Sequence, residues 1–387
     1  MKFLFYRYNS ICEPDMMEAF ERLGHGVDSI TLEMHEKSPS GEQILKEFKK
    51  AFERSSYDAV ISINYFPVVS LLCQKLGILY ISWTVDEPVL ELLSETLSND
   101  VNRIFCFDME QCRKFSAFNP HGTFYLPLAT NTDRWDSVIQ GTKDRSHECE
   151  ISFVGSLYTE KCPYDNMKNP PEYLKGYLEG IMNAQKNIYG AFILEESLTD
   201  KVVNDFIRHT PGFWDPGSSF RKDDAYVMAS AYLGMKVTSM ERLEVIRRLG
   251  QKHGFDIYTG SDTKGLPVHN RGFAKTLTQM PLIFNQSKIN LNITCRSIRT
   301  GLSQRIWDVM GAGGFLITNF QNELPEFFTI GEDLEIYSGM EELEDKVNYY
   351  LAHEEERKKI ALSGYEKTKE HHTWKNRIRD MLNMLGF

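Results

Sequence analysis

The chain has 387 residues, 42% apolar and 12% aromatic, so it can build two domains with full-sized cores and is neither a small binding module nor a disordered polymer. Its 44 Lys and Arg against 54 Asp and Glu give a formal charge of −10, which argues against broad non-specific binding to nucleic acid or anionic membrane. Any anion-binding function must then rest on a local basic cluster.

The first residues, Met1 to Tyr8, are broken by Arg7 and carry no small-residue cleavage site, so they read as a strand and not as a signal peptide. To about Thr130 the chain alternates short β-rich runs with amphipathic stretches such as Glu42 to Glu53, the pattern of βαβ units and a parallel sheet. The strand candidates are Phe3 to Tyr6, Val27 to Leu32, Ala59 to Ile63, Leu79 to Val85, Arg103 to Phe107 and Phe124 to Leu126. The most apolar uncharged stretch, Ala59 to Gln74, contains Asn64 and Pro67 and is shorter than the ~20 residues a membrane-spanning helix needs. Cys12, Cys73, Cys106, Cys112, Cys149, Cys162 and Cys295 form no C-x-x-C pair, so neither a disulfide scaffold nor a structural zinc site is indicated. A cytoplasmic protein with no integral membrane segment is the expectation.

The polar run Asn131 to Glu148 reads as a linker, which sets a first domain at 1–140 and a second at 149–370, with a C-terminal helix in 371–387 free to pack back on the first. The second domain opens with a strand at Glu150 to Val154 and resumes at Asp256 to Thr259, Ile289 to Ile293, Phe315 to Thr318 and Leu334 to Tyr337. Between its first two strands, 158–254 shows mostly helical periodicity, including Met235 to Leu249, and is too long for one crossover, so a helical insert is expected. The tail from Glu341 reads as charged amphipathic helices interrupted at Gly364.

Chemistry concentrates in Cys295 to Asn319, where a strand runs into a polar loop with Arg296, Arg299 and Gly301, then a helix from about Ser303 to Met310, then Gly311, Gly313 and Gly314. A helix N-terminus with guanidinium groups beside it suits a phosphate or pyrophosphate, and Asp308 could accept from a ribose diol. The bland alternative is a tight helix-to-strand turn with solvated arginines. Neither a Walker loop nor a dinucleotide fingerprint is present. Gly155 and Ser156 follow the first strand of the second domain, where glycine allows a ligand close approach.

In the first domain, Asp86 ends the fourth strand in Trp83 to Pro88 (WTVDEP). It reads either as a crevice carboxylate, with a pKa raised beside Trp83 for general-base work, or as the cap of a helix Val89 to Leu97. Asp108 reads as a helix cap, and His371 and His372 as an exposed helix end without metal-ligand partners. His121 reads as a turn residue, and no G-x-S-x-G elbow is present.

The run Ser287 to Arg377, with SQRIWDVMGAGGFLITN at its centre, resembles the glycosyltransferase domain of the CgeB-like spore-maturation family. WTVDEP and Tyr125 to Asn131 (YLPLATN) are similar to the N-terminal module that accompanies it, so the resemblance covers most of the chain. It implies an α/β GT-B fold: two facing Rossmann-like domains, a nucleotide-sugar donor held by the C-terminal one, an acceptor on the N-terminal one, and no metal or other cofactor. By the same resemblance Ser297, Thr300, Gly301, Leu302 and Ser303 line the diphosphate with Arg296, Asp308 holds the ribose, and Arg305 neutralises the leaving diphosphate. Tyr258, Thr259 and Gly260 fall near the base.

The glutamate that many retaining members carry eight positions before the ribose-binding acid is Thr300 here, which leaves Glu323 as a candidate near the sugar or as a helix cap. The function expected is transfer of a hexose or deoxyhexose from a UDP- or dTDP-sugar to a hydroxyl acceptor, with Asp86 as base if configuration inverts. A non-catalytic nucleotide-sugar sensor or scaffold in surface-polysaccharide or spore-coat assembly is the alternative, and a two-domain sugar-phosphate epimerase a weaker one. The sugar, the acceptor and the oligomeric state stay open.

Overall fold

The computed structural model describes residues 1–160 and 162–387; Lys161, inside the expected helical insert, lies outside the described residues. The chain forms two compact units, one from Met1–Ala129, Pro216–Lys222 and Thr373–Phe387, the other from Thr130–Asp215 and Asp223–His372.

In the first unit, β1 (Lys2–Tyr6), β2 (Gly26–Ile30), β3 (Ala59–Ile63), β4 (Leu79–Trp83), β5 (Asn102–Cys106) and β6 (Thr123–Tyr125) form a parallel sheet in the order β2-β1-β3-β4-β5-β6. Helices flanking a parallel sheet cover both faces, so its central strands are apolar throughout, and all five residues of β3 (AVISI) are buried. The order of strand addition reverses between β1 and β3, and ligands bind open α/β sheets at the carboxyl side of such a switch point. The C-terminal helix Trp374–Met384 belongs to this unit: Thr373 and Asn376 form a capping box, Trp374 meets Trp83 edge to face at 5.2 Å, and Arg377 Nε donates to the Pro127 carbonyl at 3.2 Å.

The second unit carries β7 (Cys149–Val154), β8 (Phe255–Tyr258), β9 (His269–Asn270), β10 (Ser287–Asn292), β11 (Leu316–Asn319) and β12 (Glu335–Tyr337), all parallel, in the order β12-β11-β10-β7-β8-β9. Numbered within the unit this is the dinucleotide-fold order, and its switch point lies between β7 and β10. Ile151, Ile257, Leu291, Ile317 and Val347 belong to its core. Between β7 and β8 stand the helices Glu172–Lys186, Asp200–His209 and Met235–Gly250, the last preceded by a π-helical segment Met228–Gly234.

Three expected boundaries differ. The segment expected to be a linker contains the helix Thr132–Gln140, capped by Asn131 and anchored by buried Trp135 stacked 6.0 Å from Phe284, so the division between units falls at Ala129 and not at 140. Gly364 interrupts nothing: it sits inside the helix Glu354–His371, where a Cβ would lie 2.3 Å from the Asp333 carbonyl and from Met310 Cε. The breaks in the tail fall at His353 and His372 instead, and His372 is buried among Trp307, Phe327 and Phe328 while His371 is exposed. Among the described residues no helix is long and apolar enough to cross a membrane.

Candidate functional site

Sheet register brings Val154 beside Tyr258 and Phe153 beside Leu291, so the carboxyl ends of β7, β8 and β10 form one rim. Arg242, from the helix Met235–Gly250, braces that rim. Its Nη1 donates to the Ser156 carbonyl at 2.5 Å, and its Nε and Nη2 donate to the Ile293 carbonyl at 3.2 and 2.5 Å. The side chain is buried, with Phe153 and Tyr158 at 5.3 and 5.0 Å from the guanidinium. Gly155 continues β7 through its N–H to the Tyr258 carbonyl at 3.2 Å. The chains leaving both sides of the switch point are thus fixed by one guanidinium that sequence reasoning missed, because its partners lie far away in sequence.

Beyond β10, Asn292 Nδ2 donates to the hydroxyls of Thr294 and Thr318, both at 2.9 Å, and Asn319 Oδ1 accepts from the Thr294 N–H at 2.9 Å. This buried lattice sets the direction of the loop that leads to the helix Gln304–Gly311. Ser303 occupies its N-cap position without a side-chain cap bond, so the positive end of the helix dipole meets the loop uncapped by that hydroxyl.

The loop arginines do not gather around this helix start. Arg296 is buried, its Nε 2.7 Å from the fully buried Glu241 carboxylate, its terminal nitrogens donating to the Ile188 and Lys186 carbonyls at 3.0 Å, its plane over Tyr189. Arg299 pairs with Glu195 and lies over Phe192. Ser297 is fully buried and donates to the Ser230 carbonyl of the π-helical segment at 2.6 Å. These three side chains tie the loop to the helical insert. Leu302 is likewise core.

Arg305 stands in the first turn of the helix, and Asp308, buried, one turn on. Arg305 Nη1 donates to Asp308 Oδ2 at 2.7 Å, and Gln304 Nε2 donates to Asp308 Oδ1 at 2.8 Å. Thr300 donates its hydroxyl proton to Glu323 Oε1 at 2.7 Å, and the Glu323 N–H returns to the Thr300 carbonyl at 3.2 Å. Glu323 stands at the N-cap of the short helix Leu324–Phe327 but makes no side-chain cap bond. A carboxylate therefore does stand at Thr300, supplied from another segment.

On β8, Tyr258 is buried, its hydroxyl 3.1 Å from His147 Nδ1, and burial pushes its pKa up to about 12. The Thr259 hydroxyl accepts from the Ser261 N–H at 3.1 Å. Gly260 has no Cβ because Phe273 covers it: a Cβ there would lie 2.1 Å from the ring, which is itself 84% exposed.

In the first unit, Asp86 caps no helix. Its Oδ2 accepts from Asn64 Nδ2 at 2.7 Å, and the same amide nitrogen reaches the Tyr8 hydroxyl at 2.9 Å. Asn64 Oδ1 accepts from the Val85 N–H at 3.0 Å, tying the end of β3 to the end of β4. The expected helix from Val89 to Leu97 is two short 3₁₀ turns, Leu90–Leu93 and Glu95–Ser98, with Val89 and Ser94 before them. Trp83 does not shield Asp86: it is fully buried and donates its indole N–H to the Leu126 carbonyl, whereas Asp86 is exposed. Burial, and then the Asp86 charge, hold the Tyr8 phenol well above its usual pKa, so Tyr8 stays a neutral donor. Glu13, fully buried, holds the loop after β1 by accepting from Arg7 Nε and the N–H groups of Tyr8 and Ser10. Asp108 caps the helix Met109–Ser116 as expected, accepting from the Gln111 N–H at 3.0 Å.

Residues 241–383 match the family model described as glycosyl transferase-like. An uncharacterized protein of Aquifex aeolicus (strain VF5) is 24% identical over 333 residues, 82% of this chain and 78% of its own. Among solved structures, Anabaena HepE in complex with UDP-glucose superposes with a TM-score of 0.54 at 10% identity, covering 100% of this chain and 99% of that one. Sucrose-phosphate synthase from Thermosynechococcus elongatus gives 0.55 at 10% identity, covering 100% and 98%. At such identities the likeness bears on the fold alone, and with the two parallel six-stranded sheets it establishes that the chain has the α/β GT-B fold of nucleotide-sugar glycosyltransferases.

Proposed function

We propose that the protein is a metal-independent, CgeB-like glycosyltransferase of the cytoplasm that moves a hexose or deoxyhexose from a UDP- or dTDP-sugar to a hydroxyl acceptor. The observation that carries this reading is the helix Gln304–Gly311, whose start presents Arg305 and Asp308 beside the switch point of the second sheet, within the glycosyl transferase-like segment. The diphosphate lies against that helix start. Arg305 neutralises charge as the sugar–phosphate bond breaks, which removes the need for a metal ion. Asp308 accepts from the ribose, Glu323 from sugar hydroxyls, and Gly155 and Ser156 border the donor. Phe273 offers the base a flat apolar face next to Gly260.

As the acceptor oxygen bonds to the sugar, its proton passes to the Asp86 carboxylate if configuration inverts; in a retaining reaction Asp86 only positions the acceptor. HepE is described with UDP-glucose, which makes that the first donor to try. A thermal-shift screen of nucleotide sugars, followed by transfer assays in EDTA, tests the reading. A donor at 100 times its dissociation constant should add ~2.7 kcal/mol of stability, and transfer should survive the chelator. Stabilisation by none of the UDP- or dTDP-sugars would remove the proposal, and stabilisation without transfer across a broad acceptor panel would favour a nucleotide-sugar sensor.

A further inference from the structure

The second sheet has a cavity at its opposite, amino-terminal rim. About 500 Å³ in volume, it is bounded by Cys149 and Ser287, which begin β7 and β10, by Gly313 and Phe315 ahead of β11, and by the first turn of the helix Glu354–His371. Its charged lining sorts into two groups. Arg145 pairs with Glu148 at 2.6 Å, Lys358 with Glu354 at 2.7 Å, and the Glu150 carboxylate accepts from the Gly254 N–H at 2.8 Å. Lys288 and Arg357 form no ion pair of their own among the described residues, although the Glu354 carboxylate, already paired with Lys358, acts on both from a longer distance.

Arg357 is the telling group. It is 6% exposed, yet among the described residues its guanidinium makes one hydrogen bond, from Nη1 to the Tyr350 carbonyl at 2.6 Å. Desolvating a guanidinium is costly unless an anion and further acceptors compensate it. The other buried arginines of this unit are more fully bonded: Arg296 has Glu241 and two carbonyls, and Arg242, without a carboxylate, makes three bonds to two carbonyls. Burial accordingly depresses the guanidinium pKa of Arg357. Arg357 stands in the first turn of an 18-residue helix that also opens with Glu354, Glu355 and Glu356, so the helix dipole is offset there and the anion must be held by the side-chain cations themselves.

We propose that this cavity binds a small phosphate-bearing anion, a phosphate monoester or inorganic phosphate, held by Arg357 and Lys288 at the rim of the sheet opposite the donor site. The guanidinium donates to two phosphate oxygens in the fork geometry that suits this group, and Lys288 closes over the anion as a mobile point charge. The proposal is independent of the glycosyl-transfer reading, because it uses none of the residues assigned to the donor.

Calorimetric titration of the intact protein with inorganic phosphate and with glucose 6-phosphate tests it, using Lys288→Ala, Arg357→Gln and Arg305→Ala variants. Saturable binding should weaken at least fivefold in Lys288→Ala and at least tenfold in Arg357→Gln, with no change in Arg305→Ala. Tighter binding of glucose 6-phosphate than of phosphate would assign the site to a monoester, and the reverse order to the free ion. Absence of binding to the wild type would overturn the proposal, as would binding that survives both cavity variants or is lost in Arg305→Ala. Lys288 is exposed, so its variant decides the matter even if Arg357→Gln does not fold.

Discussion

Arg296, Arg299 and Arg305 crowd together in sequence as a phosphate-binding cluster would, but only Arg305 stays at the helix start. Charge spacing is visible in a sequence; the carboxylates that claim those charges, Glu241 for Arg296 and Glu195 for Arg299, lie in distant segments and are not. Replacing Arg296 by Ala leaves the buried Glu241 with the Tyr189 and Tyr337 hydroxyls but without its cation, which should cost about 3 kcal/mol in urea unfolding. UDP affinity of the folded variant should stay within about twofold of wild type; a larger loss with unchanged stability would return Arg296 to the donor site. Asp86 was legible as a carboxylate at the end of a strand, but its partner Asn64 was not, since nothing local marks an amide after β3 as its hydrogen-bond donor. Asp86→Asn should lower transfer more than tenfold at unchanged donor affinity, and a rate within tenfold of wild type would limit Asp86 to positioning.

At the level of elements, the buried parallel strands were readable because apolar, largely β-branched residues dominate them, as in Ala59–Ile63, where only Ser62 is polar. Elements whose existence depends on tertiary contacts were not. Two-residue β9 has no periodicity to show, and the helix Thr132–Gln140 has only Trp135, Val138 and Ile139 as large apolar residues, of which Trp135 alone is buried. Asp333 shows how such contacts bind the tail helices. Its carboxylate accepts from Lys367, from Ser363 at 2.7 Å and from the Thr329 N–H at 2.8 Å, joining the turn before β12 to the helix Glu354–His371. Burial alone would raise its pKa, but Lys367, the Thr329 N–H and Ser363 outweigh it and hold the value below the ordinary carboxylate range. A depressed carboxyl contributes stability above its unfolded pKa of about 3.9, and loses it as pH falls through the folded value. Lys367→Met should therefore be less stable at pH 7, with a shallower loss of stability below about pH 4 in urea titrations. An unchanged acid slope would show that Lys367 does not set the Asp333 pKa.

For the whole molecule, the alternation of strands and helices was enough to indicate two α/β sheets, whereas the strand order that creates the switch point between β7 and β10 is a long-range property. That order brings Gly155 to the Tyr258 carbonyl, although the two lie about a hundred residues apart in the chain. The chain's net charge of −10 gives a diphosphate no general attraction, so binding rests on a few local groups. In the function proposed, Arg305 at the start of the helix Gln304–Gly311 is the group on which donor recognition depends most. Calorimetric titration of UDP and dTDP into the wild type and Arg305→Ala tests this directly. The wild type should bind at least one of the two diphosphates, with affinity falling by ~2 kcal/mol or more, roughly thirtyfold, in the variant. No binding of either diphosphate to the wild type, or equal affinity in a folded Arg305→Ala protein, would contradict it.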